Sequence, residues 1–99
     1  MRFVVTAWDG DDPDAKERRA AVRPVHLEKI QPLVDDGHVL VGGAMLDDHG
    51  DMIGSTLVVD SRADLDAWIT ADPYVTGGVW DQVEVHPFRP AVGSWLTEP

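Results

Sequence analysis

The sequence predicts an α+β domain, a single antiparallel sheet with both helices on one of its faces, and three observations predict it. Segments of alternating apolar residues and longer segments of helical spacing follow one another in the order strand, helix, strand, strand, helix, strand. Clusters of glycine, proline and aspartate separate them at short intervals. The chain has 99 residues, one domain's worth of sequence and enough for a single core.

Arg2 to Trp8 reads as the first strand, with Phe3, Val5 and Ala7 on one face and Val4, Thr6 and Trp8 on the other. Asp9-Gly10-Asp11-Asp12-Pro13 is a turn cluster, and Asp14 is placed to cap a helix over Ala15 to Val34. Val22, His26, Ile30 and Leu33 form the apolar stripe of that helix, flanked by Val25 and Leu27. Pro24 and Pro32 interrupt it, so a break or kink just before Pro24 is expected. Gly37 is the expected left-handed cap. Val39 to Ala44 and Met52 to Asp60 read as a hairpin across the polar turn Asp47 to Asp51. Ser61 caps a second helix, with Asp64 at the reciprocal position and Leu65, Trp68 and Ile69 as its buried stripe. Asp72-Pro73 ends it. Tyr74 to Trp80 is a loop or helical turn, and Gln82 to Phe88 is the last strand. Two such βαβ halves fold as a ferredoxin-like sandwich. That arrangement leaves one sheet face bare, yet the first strand is apolar on both sides, and Val39, Leu40 and Val41 repeat the feature. A second copy packed face to face is the simplest cover, so a homodimer is expected. The domain is expected over 1–89, and a tail over 90–99 carrying Trp95 is expected to pack on it or on the partner.

The charge balance excludes several function classes. Eighteen acidic residues against eight Lys and Arg give a formal net charge of −10, which opposes binding to nucleic acid or anionic membranes. No apolar run approaches the length of a membrane span. The N-terminus enters strand-like sequence directly, so a cytoplasmic location is expected. Cysteine is absent, which removes disulfides, thiol nucleophiles and Cys-type zinc sites. His26, His38, His49 and His86 show no metal-ligand spacing, and no phosphate-cradling glycine loop follows a strand. No metal or redox cofactor is therefore expected.

Two residues stand out as candidates for chemistry. His26 lies on the apolar stripe of the first helix, either as a core histidine bonded to a neighbour or as a general acid or base in a cleft. Asp72 is either a turn former before Pro73 or a carboxylate that orients the imidazole. Both helices pack on one sheet face, which makes contact between the two plausible. Ser55 lies in a strand with no nucleophile-elbow pattern around it, so a pocket-wall role is preferred to that of a hydrolase nucleophile. The aspartate clusters lack calcium-loop spacing and read as solvated turns. Trp68 reads as core, whereas Trp8, Trp80 and Trp95 are open to core, interface or ligand-platform roles, with an interface preferred.

Several short motifs occur in a telling order: Arg23-Pro24-Val25-His26-Leu27, Gly42-Gly43-Ala44-Met45, Gly54-Ser55-Thr56, Ala71-Asp72-Pro73-Tyr74-Val75, Gly78-Val79 and Val85-His86-Pro87-Phe88. The set resembles the YciI-like family over nearly the whole chain up to Arg89. The resemblance implies a dimeric α/β barrel relative of the ferredoxin-like fold, with a cleft centred on a His–Asp pair, here His26 and Asp72. A family member in chlorinated-aromatic breakdown is regarded as a dehydrochlorinase. This chain departs from the family in its short Met45 to Met52 connection and in its tail, which carries Trp95-Leu96. The implied function is cofactor-independent acid–base chemistry of a lyase or hydrolase kind on a small organic molecule. Arg23, Ser55 and Tyr74 would hold an anionic or phenolic substrate. The alternative is a module that binds a small ligand without turning it over. An oxygenase, a function found on the same general architecture, is a third and weaker option.

Overall fold

The computed structural model describes residues 1–93. Four strands form one antiparallel sheet in the order β2-β3-β1-β4. They are β1 (Arg2–Asp9), β2 (Val39–Leu46), β3 (Met52–Val59) and β4 (Trp80–Phe88). Helix α1 (Ala15–Asp35) links β1 to β2, while α2 (Arg62–Ile69) and the single turn α3 (Pro73–Thr76) link β3 to β4. The central pair aligns Phe3, Val5 and Ala7 with Val59, Leu57 and Ser55. This row faces the helices and makes the core with Ile30, Val39, Leu65, Trp68, Tyr74, Val79 and Trp80. The opposite row of β1, Val4 and Thr6, is half-buried, and Trp8 is 40% exposed. The helices therefore cover one face and leave the other open, as the order strand, helix, strand, strand, helix, strand predicted.

In helix α1 the expectation of a break is corrected. It runs unbroken through Pro24 and Pro32. Each proline removes one intrahelical bond, to the carbonyls of Ala20 and Glu28. All four of these residues are exposed, so water replaces the missing donors. On the inner side, Arg19, His26 and Ile30 are buried, with Val22 and Leu33 packed beside them. The stripe thus extends toward the N-terminus through Arg19 and Ala15. Asp14 occupies the N-cap position without capping through its side chain. At the other end, Gly37 takes φ +82°, and the N–H groups of Gly37 and His38 donate to the carbonyls of Val34 and Leu33. This is the Schellman arrangement, with glycine at the left-handed position.

The hairpin and the second helix follow their predicted signals. In the β2–β3 turn the Asp47 carboxylate accepts from the N–H groups of His49 and Asp51, which closes the turn locally. Ser61 Oγ accepts from the Asp64 N–H at 3.1 Å. The Asp64 carboxylate turns instead to His38 Nδ1, 2.9 Å away. Strand β4 begins at Trp80, earlier than predicted, and pairs with Asp9 across a register shift. It is an edge strand, which is why Pro87 can lie within it. Among the described residues no helix is long and apolar enough to cross a membrane. Trp95 and the rest of the predicted tail from 94 onward lie outside the described residues.

Candidate functional site

The site is built where α1, α3 and the helix-facing row of β3 meet. Asp72 sits at the N-cap of α3 in extended backbone, and Pro73 at the first helical position fixes the turn. Its carboxylate is 2% exposed, yet it is saturated with donors. Oδ1 accepts from the Tyr74 N–H at 2.8 Å, and Oδ2 accepts from Trp68 Nε1 at 2.7 Å. His26 Nδ1 lies 2.9 Å from Oδ1 and 3.1 Å from Oδ2. Asp72 thus forms the turn and also meets the imidazole.

The hydrogen-bond inventory sets the imidazole's role. Tyr74 N–H and Trp68 Nε1–H can only donate, so Asp72 serves them as an acceptor on both oxygens. His26 Nδ1 then meets it as the donor, which puts the lone pair of the neutral ring on Nε2. No described residue bonds to Nε2. His26 is 7% exposed, and its ring stacks on Tyr74 with centroids 3.8 Å apart and planes 11° from parallel. Arg19 also lies over the Tyr74 ring, its guanidinium carbon 4.8 Å from the centroid. Burial pushes the Tyr74 phenol above its ordinary value, against an opposing pull from Arg19 and Arg23.

A second buried cluster adjoins the first. Arg19, 5% exposed, donates through Nη1 to both oxygens of Asp9 at 2.8 and 2.9 Å, and through Nη2 to Ser55 Oγ at 3.0 Å. Trp80 Nε1 donates to the same Ser55 oxygen at 3.2 Å. Two expectations are corrected by this cluster. Asp9 is not part of a solvated turn: its side chain is 6% exposed and paired. Trp80 is 8% exposed in the core and anchors Ser55, so it is not an interface residue of the single chain.

Beside both clusters lies a cavity of about 410 Å³ between α1 and β2–β3. Arg23, His26, Ser55 and Tyr74 all line it, and so does Arg19, which the sequence reading did not select. Asp72 does not line it and stands behind His26. Arg19 and Asp9 carried a signal that went unused. Arg19 lies two helical turns before His26 on the same stripe, and Asp9 continues the Phe3, Val5, Ala7 alternation. Opposite charges at two core-facing positions mark a buried pair.

A sequence model of the YCII-related domain matches residues 1–89. Protein YciI of Escherichia coli is 39% identical, over 90% of this chain and 97% of its own length. The chain belongs to the YCII-related family. An uncharacterized protein from Haemophilus influenzae is 34% identical, over 90% of this chain and 97% of its own length. Among solved structures, the fold is similar to that of 5-chloro-2-hydroxyhydroquinone dehydrochlorinase from Burkholderia phenoliruptrix, in complex with 2,5-dihydroxybenzoquinone. The TM-score is 0.76 at 24% identity, covering 92% of this chain and 96% of that one. A dimeric ferredoxin-like protein of unknown function from Jannaschia shares the fold at TM-score 0.56 and 10% identity, with 90% and 98% covered.

Proposed function

We propose that this YCII-related protein carries out acid–base chemistry on a small anionic or phenolic molecule, without a cofactor, using His26 as the proton-transferring group. One observation carries the reading. The Nδ1 side of His26 is held by a buried carboxylate, while Nε2 has no partner among the described residues on a ring that lines a cavity. Asp72 fixes the tautomer and the orientation of the ring. Tyr74 holds the ring plane by stacking, and Arg23, Ser55 and Tyr74 are the substrate-holding groups. The fold relative whose name specifies a dehydrochlorinase, bound to a dihydroxybenzoquinone, supports a lyase-type elimination on a hydroxylated ring. Loss of hydrogen chloride from such a ring needs a base to accept the proton as chloride leaves, and needs no external oxidant.

The test is a set of chlorinated and unchlorinated hydroxyquinols, followed by ultraviolet absorbance and chloride release. Turnover should fall by about 10²–10⁴-fold in His26→Ala, with binding changed only a few-fold. Equal turnover in His26→Ala would overturn the assignment. Tight binding with no product in the parent protein would favour the alternative, a ligand-binding module. We further propose that the open sheet face pairs with a second copy, as the Jannaschia protein's description as dimeric suggests. Trp8, Val41 and Phe88, exposed by 40%, 45% and 39%, belong to strands of that sheet and are the apolar side chains such pairing would cover.

A further inference from the structure

The cavity wall has an unusual charge balance for this chain. In a protein of net charge −10, the residues lining this cavity include Arg19 and Arg23 and no Asp or Glu. The two arginines are not equivalent. Arg19 is matched by Asp9 on both carboxylate oxygens and spends a further N–H on Ser55, so its charge is already compensated inside the protein. Arg23, one helical turn further along α1 and exposed, has no hydrogen-bond or ion-pair partner among the described residues. It is the one cation of the wall whose charge is available.

Ser55 has a fixed role as well. Its oxygen receives N–H groups from Arg19 and Trp80, which occupy both of its lone pairs. The hydroxyl hydrogen is then its remaining capacity, so Ser55 meets a ligand as a donor. An oxygen that already accepts two hydrogen bonds is a poor nucleophile.

The lining also changes character along α1. Arg19, Arg23 and His26 occupy the N-terminal part of the wall, and Leu27, Ile30 and Val34 the C-terminal part. Across the cavity, Ser55 faces the first group, while Val39 and Leu57 add to the second. From residue 19 to 34 the helix rises roughly 22 Å at about 1.5 Å per residue, which is longer than one six-membered ring.

We infer that the cavity selects an amphipathic organic monoanion. Its charged oxygen is taken by Arg23 and the Ser55 hydroxyl next to His26, and an apolar extension lies along Ile30, Val34, Val39 and Leu57. Arg23 is the specificity-determining residue, and Arg19 is a positioning residue that holds Ser55. This inference rests on the proposed site and adds the shape and charge of its substrate class.

The experiment measures binding alone, so it separates this inference from the assignment of catalysis to His26. The probes are benzoate, 4-ethylbenzoate, 4-butylbenzoate, neutral 4-butylbenzyl alcohol and cationic 4-butylbenzylamine, titrated calorimetrically into the intact protein and into His26→Asn. Affinity for the anions should rise by about threefold to fourfold per methylene buried. The anion should bind at least tenfold more tightly than the alcohol, and the amine least of all. Arg23→Gln should remove the preference for anion over alcohol and leave the dependence on chain length. These preferences should persist in His26→Asn, whatever happens to turnover. Equal binding of anion and alcohol, a flat dependence on chain length, or an unchanged preference in Arg23→Gln would each overturn the inference. Arg23 is exposed, so Arg23→Gln is expected to fold, and its circular dichroism and unfolding midpoint check this.

Discussion

Replacing Asp72 by asparagine tests the centre of the site with almost no change in volume. The carboxylate accepts from Tyr74 N–H, Trp68 Nε1 and His26 Nδ1 within 2.7–3.1 Å, and it is 2% exposed. An amide offers one acceptor oxygen and one NH₂ donor. In one orientation the NH₂ faces the Trp68 indole N–H, and in the other it faces the Tyr74 N–H. Either way a buried donor loses its acceptor and the surviving bonds lose their charge assistance, a cost of about 2–4 kcal/mol. Against a total of about 5–15 kcal/mol for a domain of this kind, the urea midpoint should fall clearly. The melting temperature should drop by about 4–8 °C for each kcal/mol lost. The imidazole offers a second readout. The parent protein should show His26 with its proton on Nδ1 in nitrogen-15 NMR. In Asp72→Asn the amide NH₂ can face Nδ1, which favours the opposite tautomer and takes the lone pair away from Nε2. A variant within about 0.5 kcal/mol of the parent, the range of a neutral surface change, would refute the reasoning. So would an unchanged His26 tautomer.

Other expectations follow from neighbouring groups. Tyr74 is the single tyrosine, so phenolate absorbance reports it alone. Its midpoint should lie above that of the unfolded chain in urea, and Arg23→Ala should raise it further by removing a cation that lowers it. Because the folded value is the higher one, Tyr74's contribution to stability is intact below the unfolded value, about 10. It is lost as pH rises through the folded value, and Tyr74→Phe should flatten that part of the stability profile. Arg19→Met should cost about 3–5 kcal/mol in chemical unfolding, because Asp9 would stay buried without a counter-charge; the double variant Arg19→Met with Asp9→Asn should recover part of that loss. Sedimentation at micromolar concentration should give twice the chain mass, and a clean monomer would sink the pairing of open sheet faces.

Much of the fold was legible because its signals are local. The alternation in β1, the Gly37 cap and the Ser61 cap each act within a few residues, and each stands where the sequence put it. The break expected in α1 does not occur because tertiary packing outweighs local propensity. Pro24 and Pro32 lie on the exposed side, and the buried side supplies packing that carries the helix across both. The early start of β4 was hidden for a similar reason. Trp80 pairs with Asp9 over a register shift, and this depends on a neighbouring strand rather than on its own sequence.

The site was legible only in outline because its parts come together from distant positions. His26 and Asp72 are 46 residues apart, and their contact depends on α1 and α3 meeting beside the sheet. Several side chains of the site act through a minority of their atoms, which residue type alone does not show. Trp68 is core, as its place on the α2 stripe predicts, and its single N–H grips Asp72. Trp80 does the same for Ser55. Each indole thus fills the interior with its ring and orients one polar group of the candidate site with its nitrogen. Arg19 sits at the i−7 position from His26 and binds the strand-end carboxylate. The two arms, Trp68–Asp72–His26 and Trp80–Ser55–Arg19–Asp9, meet at the Tyr74 ring, which contacts both His26 and Arg19. A change at Tyr74 that keeps the ring should therefore disturb neither arm, whereas one that removes the ring should loosen both. That coupling runs through a packed aromatic surface, and no pairwise motif in the sequence encodes it.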